Sequence, residues 1–335
     1  MILYFPEIFS KLSDYGIEVP LQDDRASRCF AYLQETVSAN FFLTDKSQLP
    51  ELLKKDILRV HTREYCELLL SDDSSKAILE TYELIDAQGN YNRYNPEKAK
   101  KPLHVMVGDT LQHVRGTLYA MDIALTYGRS YYLGGGMHHA LADKGRGFCL
   151  VNDIVIGLRR LQDMQKIKTA WVIDVDAHKG CGTAAICADD DSIQTLSMHM
   201  GNSWPLDMYA GERFDSQGKL YPWHIPSDVD IPIYKGKEDL YLTKLAQGLK
   251  DLAKKSGQFP DFVVVVDGAD PHEEDILPST KDLALNLKQL LARDEYIYNW
   301  FKERSIPQVY LMAGGYGPSA WQVYAQFISK IYQSR

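Results

Sequence analysis

Residues 169–178 read TAWVIDVDAH, a short, mostly apolar run that passes directly into Asp174, Asp176 and His178. A run of this length and composition fits a strand buried on both faces, and the abrupt change to acid and imidazole marks its carboxyl end. On an extended chain, positions i, i+2 and i+4 share one face. Two carboxylates and an imidazole presented together suit zinc or another divalent first-row metal.

Four more runs have the same form. Residues 130–133 lead into 134–139, 193–198 into His199, 262–266 into 267–270, and 308–312 into 314–316. Helical spacing of apolar residues predicts amphipathic helices over 152–165, 238–253, 281–301 and 318–332. Strands alternating with helices imply an α/β fold: an open, mostly parallel β-sheet with helices on both faces. Ligands of such sheets bind at the carboxyl ends of the strands, so the five polar clusters are expected to converge in one crevice. Asp270 is then the third metal ligand beside Asp176 and His178, and two carboxylates with one imidazole leave a fourth position for water. The first 100 residues carry no comparable cluster and are expected to pack around the sheet. No repeat or linker divides the chain, so a single domain is expected over 1–335, with a motif-bearing core at about 60–320.

Composition excludes several classes. In 335 residues, 45% hydrophobic against 24% charged is incompatible with disorder or a coiled coil. A net charge of −8 has the wrong sign for nucleic acid and favours a cationic ligand. The five cysteines form no C-x-x-C pair and are too sparse for a disulfide framework, which points to a reducing compartment. No signal-peptide pattern and no apolar run of about 20 residues is found, so a cytoplasmic protein without a membrane partner is expected.

His138 and His139 follow three glycines whose lack of side chains lets backbone approach a site closely. Adjacent histidines on extended chain point to opposite sides, so they read as proton handlers rather than paired ligands. Amide cleavage needs such groups: a base takes the proton of the attacking water and an acid protonates the leaving amine. Asp174 is free to fix a histidine's tautomer if Asp176 takes the metal. Tyr316, on the Gly314-Gly315 turn, is placed to offer its hydroxyl to a developing oxyanion. Phe148, after the flexible residues 145–147, is a candidate wall of a narrow channel. Neither G-x-G-x-x-G nor G-x-S-x-G occurs, which disfavours a dinucleotide enzyme and a serine hydrolase. The acidic runs 189–191 and 273–275 read as solvated surface, with Glu273 and Glu274 alternatively forming an anionic rim near Asp270.

Five stretches carry a resemblance: VHTREYCELL from Val60, LGGGMHHALADKGRGFCLVND from Leu133, VIDVDAHKGCGT from Val172, DGADPHEEDIL from Asp267 and AGGY from Ala313. Together they resemble the zinc-dependent histone deacetylase family of the arginase-deacetylase superfamily, most closely its class IV branch. The resemblance implies one zinc ion held by Asp176, His178 and Asp270. It makes His138 and His139 the acid/base pair, with Asp174 behind His138, and Tyr316 the carbonyl polariser. It also implies a channel with Phe148 and Leu277 as walls and the Gly147 carbonyl as acceptor for the substrate amide. A potassium ion is implied at Asp174, Ser197 and the backbone carbonyls of Asp176, His178 and Met198. The implied reaction removes acetyl or longer acyl groups from lysine side chains of proteins or peptides. An acetylpolyamine or other small acyl-amide is the alternative substrate, and a non-catalytic zinc protein that binds acylated ligands or a partner is the alternative of another class. Two departures bear on the acid/base pair: Lys179 replaces a second histidine, and Cys181 replaces the acid or amide that would orient His139. A thiol is a weak hydrogen-bond partner. Gly180 and Ala269 stand where a second metal would need carboxylates, so an arginase-like pair of ions is not expected.

Overall fold

Residues 262–266, FVVVV, are branched or aromatic at every position, and strands of that kind are stable where both faces are covered. In the computed structural model, which describes residues 1–333, they lie in the middle of one eight-stranded sheet. The strands are β1 (Ile2–Leu3), β2 (Phe42–Leu43), β3 (Arg129–Tyr132), β4 (Ala170–Asp174), β5 (Ile193–Met200), β6 (Val229–Ile233), β7 (Phe262–Asp267) and β8 (Gln308–Met312). Their order is β2-β1-β3-β8-β7-β4-β5-β6, and every pairing is parallel. The expected mostly parallel sheet is thus entirely parallel among the described residues.

The α-helices are α1 (Arg25–Thr36), α2 (Lys54–Leu58), α3 (Arg63–Leu69), α4 (Ser75–Thr81), α5 (Val105–Tyr127), α6 (Asp153–Asp163), α7 (Cys181–Cys187), α8 (Tyr241–Ser256), α9 (Leu287–Lys302) and α10 (Ala320–Tyr332). Strand alternation sorts the core into two layers. Val172, Val264, Val266, Val309 and Leu311 pack with apolar residues of α5 and α6 on one face. Trp171, Ile173, Val263, Val265 and Tyr310 pack with α1, α8, α9 and α10 on the other.

Residues 1–100 are not merely peripheral, as the sequence had led us to expect. They supply β1 and β2, which extend the sheet beyond β3, and α1, which packs beside α10. No helix among the described residues is long and apolar enough to cross a membrane. The five cysteines are free and buried.

Four neighbouring strands, β3, β8, β7 and β4, end in the turns that carry the polar clusters. Parallel pairing aligns these carboxyl ends, and the site forms there.

Candidate active site

The turn after β3 is held in an uncommon conformation. Gly135 and Gly136 have φ of +76° and +77°, and a side chain on Gly135 would meet the Asp153 carboxylate at 2.7 Å. Buried Asp153, in the first turn of α6, accepts from the backbone amides of Gly136 (3.1 Å) and Met137 (2.7 Å) and from the Thr117 hydroxyl (2.5 Å). Asn152 caps the same helix through the amide of Val155 and donates to the Ala140 carbonyl. The bent backbone brings the His138 and His139 rings together, 3.9 Å between centroids, so they do not point to opposite sides as an extended chain would require. The role of Asp153 was missed in the sequence; its signal is an Asn-Asp pair ahead of an amphipathic helix.

The extended conformation of β4 stops at Asp174, and a bend carries Asp176 and His178 inward. Their common orientation comes from that bend, not from strand alternation. His178 Nδ1 lies 3.2 Å from Asp176 Oδ1 and 3.0 Å from Asp270 Oδ2, and the ligand atoms of all three residues lie within 4.8 Å of one another. Gly268 and Gly314 leave the space they need: a Cβ on Gly314 would sit 2.5 Å from Asp176 Oδ2 and 2.6 Å from Asp270 Oδ2. Burial, reinforced by the neighbouring Asp176 carboxylate, pushes the Asp270 pKa up to about 7. Burial acts against ionisation of Asp176 too, but His138 and His178 outweigh it and hold that carboxyl well below its usual range.

These residues fit a divalent metal. Among the described residues, buried Asp270 Oδ2 has no polar partner besides the 3.0 Å approach of the His178 ring nitrogen, which is costly unless a positive centre meets it. His178 Nε2 lies 2.9 Å from Ser279 Oγ, so a proton on Nε2 leaves the Nδ1 lone pair facing both carboxylates. Arg293, wholly buried on α9, braces the candidate metal-binding residues from behind. It donates to Asp267 and Asp294, 2.6 Å each, and to the Val175 (3.0 Å) and Gly268 (2.9 Å) carbonyls, which adjoin the ligand-bearing turns.

His138 Nδ1 is 2.6 Å from Asp174 Oδ2, and its Nε2 is 3.8 Å from Asp176 Oδ1. Burial opposes its protonation, yet the Asp174 and Asp176 carboxylates prevail and raise its pKa to about 9. His139 has only the Cys181 thiol beside Nδ1, at 3.5 Å. Burial and the adjacent His138 push its pKa well below the ordinary imidazole value. One histidine is therefore favoured as a cation and the other as a neutral ring. Lys179 turns away from the pair to an ion pair with Asp230 at 2.9 Å.

Tyr316 is buried at the same point, its backbone amide donating to Asp275 Oδ2 at 2.8 Å. Asp275 Oδ1 also accepts from the Leu277 amide and the Thr280 hydroxyl. The run 273–275 is therefore not uniformly solvated surface, because Asp275 ties two site loops together. Glu273 and Glu274 are exposed and line neither cavity of the site. From the other side, Arg25 donates to the Gly315 carbonyl (3.0 Å) and Gln22 to that of Tyr316 (3.1 Å).

A cavity of about 160 Å³ runs along Phe148, Trp204, Leu277 and Tyr316 to His139 and His178, and one of about 120 Å³ adjoins His138 and Asp176. Gly147 must be glycine here: a Cβ would meet Trp204 at 2.4 Å and His139 at 2.6 Å. Its carbonyl accepts from the Cys149 thiol at 3.4 Å. Trp204, edge-on to His139 at 4.6 Å, is a wall that sequence reasoning missed. Asp174 and Ser197 are register partners on β4 and β5, with buried Met198 next to them. His199 does not join the site. It lies within β5, which runs two residues beyond the predicted end, and faces a separate cavity with Lys179 and Asp230.

The chain is thus an α/β protein with a wholly parallel sheet among its described residues, an Asp-His-Asp cluster and a histidine pair at the sheet's carboxyl edge. The chain belongs to the histone deacetylase family: the histone deacetylase domain matches residues 19–331. It is 29% identical over 293 residues to histone deacetylase 2 of Arabidopsis thaliana, covering 87% of this chain and 68% of that protein. It is 25% identical over 224 residues to the acetoin utilization protein AcuC of Bacillus subtilis, covering 65% of this chain and 54% of AcuC. An acetylpolyamine aminohydrolase from Burkholderia pseudomallei has a similar fold, with a TM-score of 0.70 at 18% identity, covering 98% and 97% of the two chains.

Proposed function

We propose that the protein is a zinc-dependent amidohydrolase that removes acyl groups from lysine-type side-chain amines. Membership in a deacetylase family supports hydrolysis of an acyl amide. The observation that supports the finer reading is the convergence of Asp176, His178 and Asp270 with His138, His139 and Tyr316 around two cavities that share His139, Phe148 and Tyr316. Zinc bound by the three ligands supplies Lewis acidity toward the amide carbonyl and toward water.

The protein's own groups supply the rest. Phe148, Trp204 and Leu277 admit an unbranched alkyl amine and exclude bulk water from the scissile amide. His139, neutral by burial, accepts a proton from the attacking water and passes it to the departing nitrogen. His138, kept cationic by Asp174, places positive charge beside the oxygen that becomes negative. The Tyr316 hydroxyl donates to that oxygen. A potassium ion at Asp174, Ser197, Asp176, His178 and Met198 is part of the proposal and would stiffen the turn bearing the zinc ligands.

The test is hydrolysis of acyl-lysine substrates of increasing acyl length by zinc-reconstituted protein, with metal content measured on the same sample. Tyr316→Phe is expected to lower kcat by about 10²-fold or more at unchanged zinc content. Unchanged turnover removes Tyr316 from the mechanism, and absence of turnover by the zinc-loaded wild type rejects the enzyme.

A further inference from the structure

Two charged side chains line the channel together with its aromatic walls, Glu83 and Arg93, and among the described residues the only other ionisable side chains that do so are the two site histidines and Tyr316. Their backbone positions lie opposite each other at the foot of a hairpin. Ile85 bridges Tyr91 in antiparallel register, and the Asn92 amide donates to the Leu84 carbonyl at 2.8 Å, so position 83 lies opposite position 93. Both residues adopt left-handed backbone, φ 52° and 53°, a conformation that costs a non-glycine residue energy and persists only where the surroundings enforce it. Here the enforcement is visible. The Glu83 carbonyl accepts from the Asn92 side chain at 2.9 Å, and the Arg93 carbonyl accepts from the Glu18 amide at 2.8 Å. Neither charge belongs to an ion pair with the other or with any other described residue, since no such pair falls within 4.0 Å.

One carboxylate and one guanidinium, lining the same channel from opposed hairpin positions and unpaired, complement a ligand that carries ammonium and carboxylate on one carbon. We infer that Glu83 and Arg93 select a free α-amino acid whose side-chain amine is acylated, such as Nε-acyl-lysine, as the substrate. This inference rests on the deacylase reading above. An acyl-lysine inside a polypeptide offers neutral amides at this point and leaves both charges unanswered. An acylated polyamine offers only cations, which Glu83 attracts and Arg93 repels. A free amino acid answers both, with its α-carboxylate on Arg93 and its α-ammonium on Glu83, while the side chain threads past Phe148 and Trp204 to the zinc ligands.

The experiment compares kcat/KM of the zinc-loaded full chain for Nε-acyl-lysine, its Nα-acetyl derivative, its C-terminal amide, the doubly blocked form and N-acylcadaverine, each with acetyl and with octanoyl as the scissile group. The free amino acid is expected to exceed the doubly blocked form by about tenfold. Exposed ion pairs are weak individually and screened by salt, so this preference should shrink at 1 M salt. Arg93→Gln should bring the ratio of free acid to C-terminal amide to near one. Glu83→Gln should do the same for the ratio of free amine to Nα-acetyl derivative. Equal kcat/KM for free and doubly blocked lysine, or ratios untouched by both substitutions, overturns the substrate class while leaving the deacylase intact. Absence of turnover with every substrate overturns the deacylase reading, and this inference with it.

Discussion

Replacing Arg293 with methionine removes the buried cation that braces the floor of the site. The methionine fills much of the arginine's volume, so the loss is electrostatic more than steric. Asp267 and Asp294 are left buried without their shared partner, and the Val175 and Gly268 carbonyls lose a donor. Breaking a buried pair by deleting one member costs about 3–5 kcal/mol. The two carboxyls already lie above their ordinary pKa values, chiefly through burial, and neutralise readily once the guanidinium is gone, which keeps the cost near 4 kcal/mol. That is a large share of the roughly 5–15 kcal/mol that holds a domain folded. Because the two carbonyls adjoin the turns bearing Asp176 and Asp270, zinc affinity should also fall by about 10–100-fold. Urea unfolding followed by tryptophan fluorescence gives the first quantity and competition with a zinc-binding dye the second. Arg293→Lys, which keeps the charge but cannot reach all four acceptors, should lie between the two. A methionine variant that loses less than about 1 kcal/mol and binds zinc as the wild type does would refute the bracing argument.

Gly314→Ala places a methyl group against both Asp176 and Asp270, so zinc binding is expected to weaken by at least tenfold while the circular dichroism spectrum is retained; equal affinity would show that the turn relaxes freely. Burial depresses the pKa of His61 and of His113 to about 4. The unfolded chain binds protons below about pH 6.5 and the folded chain does not until about pH 4. Their contribution is thus complete above pH 6.5 and is lost as pH falls toward 4, by up to about 3 kcal/mol per pH unit for the two together. Urea midpoints measured at pH 7 and 5.5 test this, and equal midpoints, or glutamine variants with unchanged pH dependence, would exclude these histidines as the cause.

The central strands were legible because they are covered on both faces: β8 begins and ends where the apolar run 308–312 does, and β7 differs by one residue. β1 and β2 have two residues each, too few to show a period, and β6 contains Asp230 and Pro232, which disguise an edge strand. The long helix α5 was missed because Gly108, Asp109 and Gly116 interrupt an apolar stripe that would otherwise mark it. At the site, the residues proposed to carry the chemistry could be picked out directly, since Asp176, His178, Asp270 and Tyr316 follow recognisable strands. Those that hold them in place could not. Asp275, Ser279, Arg293 and Trp204 matter only through contacts between segments distant in sequence, and nothing local distinguishes Arg293 from a solvated helical arginine.

The grip of Arg25 and Gln22 on the Gly315 and Tyr316 carbonyls alters what a minimal active unit must contain. A fragment trimmed to the recognisable motifs, from about residue 60 onward, would keep every ligand and both histidines. It would also release the tyrosine's loop on one side and bare the rim of β3 where β1 now lies, leaving an intact set of reactive groups in a frame no longer stiff enough to aim them.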